Sequence, residues 1–146
     1  MRLGWWVRGG LVVVATLWVA IFAVAAWLKP YDAVGQPLRM ETHRQLGLPP
    51  CNFYEWTGKP CPSCGMTTSF ALLVRGDVWN SLKANAVGTL LALWGIVLIP
   101  WCVISSLLGR YLFVRSVEVW LLGAVIVFVL LALIRWVIVL GIGWVF

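Results

Sequence analysis

The sequence predicts an all-α integral membrane protein with three transmembrane helices, and a Cys-rich loop plus a short helix between spans one and two. Three observations carry this expectation. The chain is 62% hydrophobic and only 11% charged over 146 residues, with a mean hydropathy of +0.96, outside the range of soluble domains. Long uncharged or nearly uncharged apolar stretches recur three times. Its eleven Trp residues suit a bilayer, where amphipathic rings settle at the headgroup level. A chain of this length has room for one domain, read here as a single membrane domain over residues 1–146.

The first span covers residues 11–28, free of charge between Arg8 and the Lys29-Pro30 pair. As a helix it would rise about 27 Å, enough for a bilayer core. A signal peptide is the competing reading, with Arg2 and Arg8 as a basic start and Ala23-Val24-Ala25 as a small-residue cleavage site. Trp18, Trp27 and the full spanning length favour a retained helix. Residues 29–86 form the long polar segment, the Cys-rich loop, with prolines at 30, 37, 49, 50, 60 and 62. So many prolines argue against one continuous helix or a sheet core.

After Cys64 the pattern turns helical, with Met66, Phe70, Leu73 and Val74 at three- and four-residue spacing. Arg75-Gly76-Asp77 then reads as a stop followed by a start. Gly76 suits a left-handed C-terminal cap and Asp77 the N-cap of the next helix. The second span, 87–108, contains Pro100, where a kink is expected, and Cys102, expected to be a small packing residue. A short connection follows, and the third span, 119–139, carries Arg135. An ionisable residue within a span flags a functional site; the bland alternative is a side chain that snorkels to the interface. Gly88, Gly95, Gly109, Gly141 and Gly143 would permit close helix approach or self-association.

The net charge of +6 comes from eleven Lys and Arg scattered singly, with no basic run or aromatic interleaving. That excludes a nucleic-acid partner and leaves membrane flanks. Arg2, Arg8, Arg110 and Arg115 share one side of a three-span chain, so the positive-inside rule sets the N-terminus in the cytoplasm and the Cys-rich loop outside it. There is no glycine-rich phosphate loop, no Ser/His/Asp set and no H-E-x-x-H. A single histidine and five acidic residues leave few candidates for general acid–base chemistry.

Chemistry concentrates in three cysteines of the loop. Cys61-Pro62-Ser63-Cys64 brings two sulfurs close enough to share a metal or to form a short disulfide, and a two-residue spacer is the commonest half-site of zinc centres. Cys64 precedes a helix start, whose unpaired backbone N–H groups favour a thiolate. Cys51 is the third sulfur and His43 a possible fourth ligand; H-x7-C-x9-C-x2-C would close a tetrahedron. That spacing matches no standard finger or ribbon, and a disulfide from Cys51 to Cys61 or Cys64 explains the same residues in an oxidising compartment. Asp77 and Asn85 stand near the entrance to the second span on the side of the cysteines, where with Thr67 they would line a polar pocket. The plainer reading makes Asp77 a cap and Asn85 an interfacial polar residue.

In order along the chain, Cys51, Thr57, Gly58, Cys61, Pro62, Cys64, Gly65, Thr67, Gly76, Asp77 and Asn85 resemble a family of short bacterial multi-span membrane proteins of unknown function. Its hallmark is a C-P-x-C-G-x-T-R loop, then G-D before an N-P entry to a membrane helix. The resemblance covers about 50 residues and departs at Thr68, where the family has Arg, and at Ala86, where it has Pro. It implies a helical membrane protein of the bacterial inner membrane with a Cys-rich loop, and no activity.

Three functions follow as expectations. The first is an interaction or scaffold module for another membrane protein or a second copy, its loop ordered by a metal, zinc for preference, since metal-binding energy is folding energy. The second is a membrane thiol–disulfide oxidoreductase, because Cys-Pro-Ser-Cys at a helix start is similar to the active site of glutaredoxin-like enzymes. Cys61 would attack, Cys64 resolve and Cys51 act as relay, though no βαβ pattern accompanies them. The third is a structural subunit whose loop is stapled by one disulfide.

Overall fold

The computed structural model of the chain describes residues 3–110, 112 and 116–143. Arg2 and Arg115, two of the flanking charges, lie outside the described residues. Among these, the α-helices in order are α1 Trp5–Trp27, α2 Asn52–Thr57, α3 Met66–Val74, α4 Val78–Leu108 and α5 Val117–Ile142, with a 3₁₀ turn at Thr42–Leu46. Helices α1, α4 and α5 are each long and apolar enough to cross a membrane. No strand forms among the described residues, and the prolines leave the loop only an isolated bridge between Tyr31 and Pro37.

Helices α1 and α4 pair antiparallel. At one end Leu3 N–H donates to the Gly109 carbonyl at 2.8 Å. Arg8 Nε donates to the Ser106 carbonyl at 2.8 Å, while Ser106 Oγ returns a bond to the Arg8 carbonyl at 3.2 Å. At the other end Ala25 of α1 packs with Ala92 of α4 and with Phe70 and Leu73 of α3. Lipid removes most of the hydrophobic drive for helix association, so close packing and hydrogen bonds must supply it. The glycines of α4 serve that purpose within the chain. A Cβ at Gly95 would strike the Trp18 indole, and one at Gly88 would strike Ser69 Oγ.

Several tryptophans do not sit where a headgroup belt would place them. Trp5, Trp6, Trp27 and Trp79 are exposed near helix ends, but Trp18, Trp94 and Trp101 are half-buried between the helices and meet each other or the exposed Trp120 edge-on or tilted. Their centroids lie 6.0 Å apart for Trp18–Trp94, 5.6 Å for Trp94–Trp120 and 5.0 Å for Trp101–Trp120. Cys102 is fully buried in the same apolar cluster as Leu11, Ala15 and Leu98, a packing position.

The loop is tied to the bundle by polar contacts. Gln45 and Lys29 exchange bonds, Gln45 Nε2 to the Lys29 carbonyl at 2.6 Å and Lys29 N–H to Gln45 Oε1 at 2.9 Å. Arg75 reaches back to α1 and donates to the carbonyls of Ala25 at 3.3 Å and Ala26 at 3.0 Å, which satisfies orphan carbonyls of that helix end. Gly76, with φ +79°, lets the chain turn from α3 to α4. Asp77 caps α4, accepting from Asn80 N–H at 3.3 Å and from Asn80 Nδ2 at 2.8 Å. Those hydrogen bonds from Asn80 hold the Asp77 carboxyl below its ordinary range, against the opposing effect of burial.

The residue of α4 with non-helical dihedrals is Asn85, at φ −159° and ψ 103°, while Pro100 lies inside the helix. Asn85 has the extended conformation and side-chain bond of an N-cap: its Oδ1 accepts from Gly88 N–H at 3.0 Å. Helix α4 is thus two helices end to end, the second beginning after Asn85. Proline alone removes one backbone bond, which a neighbouring turn can absorb; Asn85 replaces one.

Candidate functional site

The cysteine turn is built from local backbone geometry. Cys64 N–H donates to the Cys61 carbonyl at 3.1 Å and Met66 N–H to the Ser63 carbonyl at 3.0 Å. Gly65 follows at φ +82° as the residue before α3. Only glycine fits here: a Cβ would collide with the carbonyl oxygens of Ala84 and Arg39, beyond the strain of positive φ. Cys51 arrives from the other side as the N-cap of α2, a short helix that closes at Gly58 with φ +67°.

These elements bring together the three sulfurs of Cys51, Cys61 and Cys64, all within 4.8 Å of one another. Cys61 Sγ and Cys64 Sγ are 2.8 Å apart, and Cys64 Sγ lies 3.4 Å from Cys51 Sγ. A metal at about 2.3 Å from each sulfur holds such atoms about 3.8 Å apart, so the cluster needs only small shifts to take one. Cys61 N–H points at Cys64 Sγ at 3.1 Å, and Ser63 Oγ lies 3.3 Å from Cys61 Sγ.

The two cysteines of the turn differ. Burial pushes the Cys61 thiol up, but hydrogen bonds with Cys64, Ser63 and Cys51 outweigh it and set the thiol below its ordinary value. Cys64 is buried, and that burial, followed by its hydrogen bond to Cys61, drives its thiol well above the ordinary range. Of the two, Cys61 forms a thiolate more readily, rather than Cys64 as its place before a helix start suggests.

The sulfurs line a cavity of about 490 Å³ that also has Glu41, His43 and Met66 in its wall. His43 stands at this wall with Nε2 3.1 Å from the Pro49 carbonyl, and it is not among the residues gathered within 4.8 Å. Thr67 lines the same cavity. Asp77 is instead in the capping cluster, where Tyr31 Oη donates to its Oδ2 at 3.0 Å.

Asn85 proves to be the structural partner of the cysteine turn. It is fully buried, and its Nδ2 donates to the Cys64 carbonyl at 3.1 Å while its Oδ1 caps the second half of α4. Around it runs a buried polar seam. Ser81 Oγ donates to the Ser69 carbonyl at 2.7 Å and lies 2.7 Å from Thr89 Oγ1, which donates to the Asn85 carbonyl at 3.0 Å. Thr68, where the resembling family carries Arg, meets Thr42 hydroxyl to hydroxyl at 2.7 Å, joining the 3₁₀ turn to α3.

Two residues of α5 also reach the site, and sequence reasoning connected neither to the cysteines. Arg135 Nη2 donates to the Ala84 carbonyl at 3.1 Å, and Trp136 Nε1 donates to the Pro60 carbonyl, next to Cys61, at 2.9 Å. The charge of Arg135 was a signal; its destination depends on a contact distant in sequence.

Residues 51–99 match the model of a family described as Protein of unknown function (DUF2752). That stretch contains the three clustered cysteines, α2, α3 and Asn85, and leaves α1 and α5 outside the match. No curated protein and no solved structure matches the chain. The chain is therefore similar, over the segment that holds its cysteine cluster, to a family whose function is unknown.

Proposed function

We propose that this is a small multi-span membrane protein whose Cys-rich loop holds a metal ion through Cys51, Cys61 and Cys64, and which acts as an interaction or scaffold module. The convergence of three sulfurs within 4.8 Å carries this reading. A disulfide joins two sulfurs and gives the third no reason to be there, whereas a tetrahedral thiolate site uses all three. Zinc is the preferred ion, because soft thiolates select it and it needs no redox partner. The fourth position belongs to His43 after rotation away from Pro49, or to water from the cavity. The family resemblance favours a bacterial inner membrane, and the flanking charges favour the extracytoplasmic side for the loop. The partner is another membrane protein or a second copy, met through apolar helix faces within the bilayer.

Metal content of protein purified in detergent, without chelators or metal-affinity tags, tests the reading. About one zinc per chain, lost on Cys51→Ser, Cys61→Ser or Cys64→Ser alike, is the expected outcome. Protein that stays metal-free after refolding with zinc would refute it.

The asymmetry between Cys61 and Cys64 favours a second reading, a thiol–disulfide oxidoreductase. A partly accessible thiol of lowered pKa beside a buried partner of raised pKa is the arrangement of an attacking and a resolving cysteine. Under that reading Cys61→Ser abolishes exchange and leaves the fold intact, and an equal effect from all three cysteines would count against it. A loop stapled by a disulfide would instead change gel mobility on reduction.

A further inference from the structure

We propose that Arg135 is the charge-compensating partner of the cysteine centre, a positioning residue that anchors α5 to it. The inference takes its metal form from the reading above. It begins at the break in α4. In an unbroken helix Gly88 N–H would donate to the Ala84 carbonyl. Here Gly88 N–H goes to Asn85 Oδ1 at 3.0 Å, and the Ala84 carbonyl takes Arg135 Nη2 at 3.1 Å. That carbonyl lies against Gly65, so close that any side chain there would strike it. Gly65 is the neighbour of Cys64, whose own carbonyl is held by Asn85 at 3.1 Å.

The guanidinium is consequently tied, through the Ala84 carbonyl, to the backbone beside Cys64, within electrostatic reach of Cys64 and Cys61. A divalent ion held by three thiolates carries about one net negative charge, and in low dielectric such a charge needs a counter-charge. A cationic side chain in an apolar helix is costly, and is retained where it serves a site. Trp136, the next residue, grips the other side of the cysteine turn at the Pro60 carbonyl and sets its ring 5.8 Å from Phe53 of α2. Helix α5 thus meets the centre with two adjacent residues, one cationic and one neutral.

This difference supplies the test. Zinc affinity is measured on the full-length protein in detergent by competition with a chromogenic chelator, for wild type, Arg135→Gln, Arg135→Lys and Trp136→Phe. Arg135→Gln is expected to bind zinc about ten- to a hundredfold more weakly at unchanged stoichiometry, the usual effect of losing an outer-shell partner. Arg135→Lys and Trp136→Phe are expected to stay close to wild type. Wild-type affinity in Arg135→Gln overturns the proposal, as does an equal loss in Arg135→Lys. If wild type takes up no zinc, the metal reading itself has failed, and the charge is read from the rate at which iodoacetamide alkylates Cys61. That rate then falls in Arg135→Gln and is kept in Arg135→Lys; equal rates in all three proteins overturn the proposal.

Discussion

Helices α3 and α5 both pack against α4, yet by different means. The α3–α4 contact is made of small and polar residues: Gly88 against Ser69, Ser81 on the Ser69 carbonyl, and Asn85 on the Cys64 carbonyl. Helix α5 buries Val117 and Val139 and meets α4 through the rings of Trp94, Trp101, Trp120 and Phe128, then through Arg135. The first contact has one geometry, since every buried donor must find its acceptor. The second is chiefly apolar surface that lipid can replace at little cost. Specificity in this protein is therefore concentrated where α3, the cysteine turn and the break in α4 meet.

Breaking that meeting point should have the largest effect. Asn85→Ala removes the cap of the second half of α4 and leaves the Cys64 carbonyl buried without its donor. A missing cap costs about 1 kcal/mol and an unsatisfied buried group about 1–3 kcal/mol more. Thermal unfolding in detergent should show a loss of about 2–4 kcal/mol. Gly65→Ala comes next, as φ is +82° and the Cβ meets two backbone oxygens; overpacking of this kind costs about 1–3 kcal/mol. It should also displace Cys64 and lower metal content.

Asp77→Ala is a milder cut, about 1 kcal/mol for one cap, and Asp77→Asn should recover most of it. The sign with pH follows from the lowered carboxyl pKa. The stabilisation is complete above the ordinary carboxylate pKa and is lost as pH falls through the lowered value of the folded protein. Thermal unfolding of Asp77→Asn should accordingly depend less on acid pH than that of wild type. The smallest effect belongs to α5. Val127→Leu, on an exposed apolar face, should move stability by less than about 0.5 kcal/mol.

The cysteines sharpen the comparison chemically. In metal-free reduced protein, alkylation followed by mass spectrometry across pH should modify Cys61 first, with an inflection below that of an ordinary thiol. Cys64 should react last and only at higher pH.

The three long helices were legible because apolar length is a strong signal, and the α3–α4 corner because Gly76 and Asp77 are cap residues at their proper positions. The clustering of Cys51 with Cys61 and Cys64 was legible from residue type and spacing, since few other fates suit three cysteines in one loop. The break at Asn85 was not. The expected second span begins at 87, but Ala86 stands where proline, favoured at a first helical position, would have marked a new helix, so nothing local showed that Asn85 itself breaks and caps it. Arg135 was visible as an intramembrane charge, but its bond to the Ala84 carbonyl follows from the break at Asn85, which frees that carbonyl from Gly88 N–H. A consequence of a consequence leaves no local pattern.

The central claim is that Cys51, Cys61 and Cys64 act as one ligand set. X-ray absorption at the zinc edge, on protein loaded with one equivalent of zinc, tests it most directly. The account predicts three sulfur neighbours at about 2.3 Å and one nitrogen or oxygen at about 2.0 Å, with a sulfur lost in Cys51→Ser. Two sulfurs in wild type, unchanged by Cys51→Ser, would contradict it and return Cys61 and Cys64 to dithiol chemistry.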